Sequence, residues 1–222
     1  MKKSFAYPYG VWLAVFILAP ILMVVVYAFH NADGGFTLHN FSYLPGYLPI
    51  FGRSFWLAFL STVVCLALGY PMAYLMSRLS ASKQSLCMML IMLPMWINFT
   101  LRITALKEIL TMFEGSLAYY PFFNSVVGMT YDFLPFMILP LYSTLTKLDP
   151  NLLEASYDLG ANSAQAFLRV TLPLSVPGII SGVSMVFLPA MTNYVVLDML
   201  YNSTYIMGSL IGSYFSAYDW HN

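Results

Sequence analysis

The stretch Lys147-Leu148-Asp149-Pro150-Asn151-Leu152-Leu153-Glu154-Ala155-Ser156-Tyr157-Asp158-Leu159-Gly160 has the chemistry of a short capped helix. Asp149 is suited to accept from the free N–H groups of a first turn. Pro150 fits the first helical position, where its missing N–H costs nothing. Leu152, Leu153, Ser156 and Leu159 recur at helical spacing, and Gly160 suits the left-handed residue that ends the helix. A second short helix is predicted from about Ser163 to Val170, ended by Leu172-Pro173. The segment between the flanking apolar runs, about Thr146 to Ser175, is too long for a passive connector. Its apolar residues need a partner surface or the ends of neighbouring spans. Glu154, Asp158 and Asn151 occupy its polar side, whereas helices that lie on an anionic leaflet carry Lys and Arg there.

Outward from this elbow the chain is apolar. Of 222 residues, 60% are hydrophobic and 8% charged, and mean hydropathy is +0.75. A soluble domain carries about 25% charged residues, so an ordinary globule is excluded, as is disorder. Nine basic and nine acidic residues cancel, which leaves no broad basic face for nucleic acid. The chain reads as an all-α membrane protein.

A crossing helix needs about 20 mostly apolar residues. Five stretches qualify: about Tyr9–Phe29, Ser54–Ser77, Ser85–Leu101, Asn124–Leu145 and Val176–Leu197. Lys2 and Lys3 precede the first, which resembles a leader but has an apolar run too long for one. With the N-terminus inside, Lys2, Lys3, Arg78, Lys83, Lys147 and Arg169 lie inside and Arg53, Arg102 and Lys107 outside. This bias supports a cytoplasmic N-terminus. Five spans leave Asn222 outside, and Tyr214 to Asn222 closes nothing, so a sixth span is expected after residue 222. Cys65 and Cys87 read as packing thiols within spans. His30, His39 and His221 have no paired acid or thiol nearby in sequence, so no metal site is expected.

Glu154-Ala155-Ser156, three residues, Gly160, nine residues, then Val170-Thr171-Leu172-Pro173 resembles the EAA loop of importer permeases of the ATP-binding-cassette class. Ser156 stands where that pattern has its second alanine, and Val170 where it has isoleucine. The runs Leu93-Pro94-Met95-Trp96, Leu134-Pro135-Phe136-Met137 and Leu188-Pro189-Ala190-Met191 are similar to those of spermidine/putrescine permease subunits, especially the first of the two. The resemblance implies a type I importer transmembrane domain over residues 1–222, with five spans of an expected six, the sixth after a segment like Tyr218-Asp219-Trp220. It implies a second permease subunit, two cytoplasmic ATPase subunits and an external polyamine-binding protein as partners. It places the chain in a bacterial cell membrane. Glu154, Ala155, Ser156, Asp158, Gly160, Leu172 and Pro173 would then engage the ATPase. The chain has no phosphate-cradling GxxxxGK(S/T) loop. It is therefore expected to bind no cofactor, with ATP and Mg on the partner ATPase.

A polyamine path calls for carboxylates and aromatic faces. Asp132 falls inside the fourth span, and intramembrane acids are functional candidates by default. The alternative is an acid at the outer edge of a span that begins later. Tyr131 and Pro135 flank it, and Pro135 and Pro140 are expected to break the helix locally. Asp198, Tyr194 and Tyr201 share a face if the fifth helix continues, either as an ammonium site or as solvated boundary residues. Trp96 is a stacking surface or a core aromatic. Asp33, Glu108, Glu114 and Asp219 are outer acids that could meet a binding protein. Gly178 and Gly182 form a GxxxG for close helix approach, to the second permease subunit or to a neighbouring span. No Lys or Arg falls inside an assigned span, which favours a cation over sulfate, molybdate, iron-complex or phosphonate cargo. The alternatives from other classes are a membrane-embedded enzyme, which would need a convergent acid/base pair or metal set that the sequence does not show, and a secondary transporter, which would not need a docking elbow.

Overall fold

The computed structural model describes residues 6–30, 35–117, 119–200 and 206–217. Lys2, Lys3, Asp33, Tyr201, Tyr218, Asp219, Trp220 and His221 lie outside the described residues. Among those described, every regular element is helical, apart from one isolated bridge between His30 and Phe36. Four helical stretches are long and apolar enough to cross a membrane, and a bent pair makes a fifth if taken as one span. This is an all-α membrane fold.

The chain divides into two compact units, residues 1–50 with 210–222, and residues 51–209. The first unit contains α1 (Ala6–Leu13), a wide π turn (Ala14–Leu18) and α2 (Ala19–Ala28). No side chain from Tyr9 to Ala28 is buried. A helix apolar all round and unburied by its own chain is suited to lipid or to another apolar surface. The polar turn after it is tied back by Asn40, whose Nδ2 donates to the carbonyls of Ala28 and His30 at 3.0 and 3.2 Å.

Helix α3 (Leu44–Ser77) begins well before the expected Ser54. Its 34 residues exceed the about 20 that the hydrocarbon requires, so exposed Arg53 sits within a helix and not ahead of one.

In the second unit, α6 (Pro121–Leu145) and α9 (Leu172–Thr192) form the central pair. Gly178 and Gly182 make that contact. A Cβ on Gly178 would stand 2.7 Å from the Thr144 hydroxyl, and one on Gly182 would stand 2.7 Å from Met137 Sδ. The GxxxG therefore serves a neighbouring span of the same chain. Gly69 of α3 meets Met137 and Ile138 on α6 in the same way. Pro135 and Pro140 do not break α6, contrary to expectation. Packing on both sides holds the helix, and Thr144 Oγ1 donates to the Pro140 carbonyl at 2.9 Å. Such local re-bonding is what lets membrane helices carry proline.

The expected third span, 85–101, is split. Helix α4 (Ala81–Trp96) stops, Ile97 is extended, and α5 (Phe99–Glu114) leaves at 96°. Asn98 causes the restart, since its side chain accepts from the N–H groups of Thr100 and Leu101 at 2.9 and 3.4 Å. The fifth span is also displaced. It ends at Thr192, and a separate short helix, α10 (Val195–Leu200), follows. Val196 and Leu200 of α10 seat on Gly128 of α6, and Ile206 is buried nearby in the sequence, ahead of α11 (Met207–Ala217). Cys65 is buried and Cys87 half-buried, both as free thiols.

Candidate functional site

The elbow is built by its caps. Helix α7 (Pro150–Asp158) starts where the Asp149 carboxylate accepts from Asn151 N–H at 3.0 Å. It ends at Gly160, whose φ is +82°. The Gly160 N–H donates to the Tyr157 carbonyl at 2.9 Å, and Ala161 N–H to the Ser156 carbonyl at 3.0 Å. That paired bonding is the Schellman arrangement, and it requires the left-handed residue glycine supplies. Asn162 then opens α8 (Ser163–Ala166) with a reciprocal capping box: its side chain accepts from Gln165 N–H at 2.9 Å, and Gln165 Oε1 accepts from Asn162 N–H at 3.0 Å. This box makes a second rigid joint in the elbow.

Leu153 and Ser156 turn inward, and the Ser156 hydroxyl donates to the Leu153 carbonyl at 2.7 Å. Leu159 is 89% exposed, and Tyr157 and Leu152 also face out. Glu154, Ala155 and Asp158 are exposed beside them. Neither acid has a side-chain hydrogen bond or ion pair among the described residues. The elbow thus presents an apolar knob ringed by unneutralised acids.

Leu172-Pro173 does not end the second elbow helix, contrary to expectation. From Ser163 to Thr192 the chain is one continuous rod, with a π turn at Phe167–Thr171. Pro173 has no N–H to give the carbonyl four residues back, and the wider turn before it accommodates that loss. Leu172 packs against the core while Pro173 is exposed. The elbow is therefore continuous with a membrane helix.

Midway along α6, Asp132 is buried and paired with Arg102. The side chains are 6% and 8% exposed. Arg102 is not an outer-loop charge. The 96° turn carries α5 back so that Arg102 faces α6. Its Nη1 also donates to the Pro94 carbonyl at 3.1 Å, the end of α4. Its Cζ lies 5.8 Å from the Phe99 ring and 5.7 Å from the Tyr131 ring. One guanidinium thus ties α4, α5 and α6 and meets two aromatic faces.

The other path candidates do not converge on this pair. Trp96 is 81% exposed and is no core aromatic of this chain. The fifth helix does not continue to Asp198: Tyr194 lies in the break after α9, and Asp198 follows one turn on, in α10. Both are exposed, and the Asp198 N–H donates to the Tyr194 carbonyl at 2.8 Å. Tyr201 lies outside the described residues. Glu114 is engaged within the chain, accepting from Asn124 Nδ2 at 2.9 Å, while Glu108 is exposed. Among the described residues no cluster of His, Cys, Asp and Glu could hold a metal.

Residues 9–221 match the family described as the inner membrane component of binding-protein-dependent transport systems. The chain belongs to that family. It is a multi-pass transport permease and not an enzyme. Its relatives include the spermidine/putrescine transport system permease protein PotB of Haemophilus influenzae, 38% identical over 92% of this chain and 79% of that protein. PotB of Escherichia coli K12 is 36% identical over 85% of this chain and 77% of its own length. A PotB homolog of Mycoplasma genitalium is 28% identical over 93% and 76%.

Proposed function

We propose that this chain is a permease subunit of an ATP-driven polyamine importer, with its N-terminus on the cytoplasmic side. It shares the translocation path with a second permease subunit. Two cytoplasmic ATPase subunits hold ATP and Mg and drive the elbow, and an external binding protein delivers spermidine or putrescine. The observation that carries this reading is the elbow itself. It is a doubly capped turn, continuous with α9, whose outer face is apolar with free acids. Leu159, Tyr157 and Leu152 together expose apolar surface on this turn, and an apolar patch of that kind suits a partner's groove.

The names of the relatives and the acids on the chain support polyamine as cargo. Asp198 and Tyr194 are exposed and suit an ammonium group. Asp132 enters the path only through the Arg102 pair, which is neutral as a unit. Burial of Arg102 removes the expectation that no basic residue lies within the spans. The cation preference then rests on Asp198, Tyr194, Tyr131 and Trp96. Uptake of labelled spermidine by the full complex, with Asp132→Asn and Asp198→Asn, tests the path. A weakened apparent affinity supports it, and unchanged affinity in both variants removes these acids from it. Co-purification with a cytoplasmic ATPase tests the elbow, and a complex that assembles and transports without one overturns the reading.

A further inference from the structure

The π turn at Phe167–Thr171 joins the elbow to the membrane helix, and its first side chain does not point back along the same rod. The Phe167 ring stands edge-on to two tyrosines of α3. Its centroid is 5.8 Å from Tyr70 at 86° and 5.4 Å from Tyr74 at 82°. Tyr70 and Tyr74 are four residues apart, so they form one ledge on one helix face. Two turns further along, the Ser175 hydroxyl meets Tyr70 Oη at 2.8 Å, and Ser175 is fully buried. Arg78 also meets Tyr74, its Cζ 5.2 Å from the ring centroid. Thr171, at the end of the same turn, is buried with its hydroxyl unpartnered. The helix keeps a wide turn and an orphaned hydroxyl at the place where its side chains reach α3.

We propose that Phe167 is a positioning residue for energy coupling, a wedge that delivers displacement of the elbow to α3 through Tyr70 and Tyr74. The elbow then moves two helices. One is α9, by continuity of the backbone. The other is α3, by contact of rings that resist separation and sideways slip. This inference rests on the elbow being the ATPase contact and adds to it the route by which the stroke reaches a second helix. Removing the ring leaves the outward face, Leu159, Tyr157 and Leu152, unaltered, so docking is retained while transmission is lost.

The test uses the complete transporter, with its ATPase and its binding protein, in sealed vesicles supplied with labelled spermidine. Phe167→Leu keeps an apolar side chain and removes the ring. It is expected to raise ATP consumed per cargo imported by roughly three- to tenfold, the equilibrium weight of one or two such ring contacts. The amount of co-purified ATPase is expected to stay at the wild-type level. Phe167→Tyr, which keeps the ring, is expected to restore the ratio, and Tyr74→Leu to reproduce the defect. An unchanged ratio in Phe167→Leu overturns the proposal. So does a parallel fall in uptake, ATP consumption and co-purification, because that is what loss of fold alone produces. If wild-type chain fails to retain the ATPase, the elbow reading itself has failed, a result distinct from a normal ratio in Phe167→Leu.

Discussion

Replacing Arg102 with Met leaves the Asp132 carboxylate buried without its counter-charge. Both side chains of the pair are less than a tenth exposed, and Arg102 also holds the end of α4 through the Pro94 carbonyl. Breaking such a pair from one side costs about 3–5 kcal/mol, since the remaining charge is neither solvated nor neutralised. Asp132→Asn has the converse effect and strands a guanidinium whose Nε already lacks a partner. Removing both charges together, as Arg102→Met with Asp132→Leu, leaves no orphan, and replacements of this kind are often neutral or stabilising. The expected result is a double-mutant cycle with coupling of about 3 kcal/mol. Thermal unfolding of the purified, detergent-solubilised transporter gives the comparison. Single variants that each cost under about 1 kcal/mol and add without coupling would refute the reasoning, because exposed pairs behave that way.

Gly160→Val is expected to lose ATP-driven uptake while still inserting in the membrane, since a β-branched residue at φ +82° is strained by roughly 1–2 kcal/mol. Gly160→Asn, which tolerates the left-handed region, is expected to retain uptake; equal uptake by both variants contradicts the role of this turn. Gly178→Val drives a side chain into Thr144 and the Pro140 carbonyl. It should cost about 1–3 kcal/mol in thermal stability, and an unchanged midpoint would show that α6 and α9 do not pack here. Asn98→Ala removes the cap that restarts the chain after the break. Its expected cost is about 1 kcal/mol, read as a lower unfolding temperature of the same complex, and no change would assign the bend to Pro94 instead.

The elbow was legible because each of its joints has a local chemical cause. Asp149, Pro150 and Gly160 occupy the positions that caps require, and the bonds they make span only two to five residues. Apolar run length located the membrane helices for a similar reason. What escaped the sequence was decided by phase and packing. No charged residue falls between Leu93 and Leu101, so the break at Ile97-Asn98 was hidden in a mostly apolar run. Asn98 itself was the available signal, a capping residue in the middle of a supposed span. Arg102 was assigned by its place in the chain, whereas its partner lies 30 residues away on another helix. A buried acid needs a counter-charge, and Arg102, one turn into the restarted helix, is where that demand is met. By sequence alone Pro135, Pro140 and Pro173 predict helix breaks. Packing against α3 and α9, hydroxyl back-bonding and a π turn absorb them instead.

Site-directed cross-linking from the tip of the elbow bears most directly on the role assigned to it. With Cys65 and Cys87 replaced, Leu159→Cys supplies one reactive thiol at the most exposed apolar position of the turn. In the assembled transporter it is predicted to cross-link to the cytoplasmic ATPase, with a yield that changes when ATP is added. Cross-links to lipid headgroups alone, in a preparation that still imports its cargo, would contradict it.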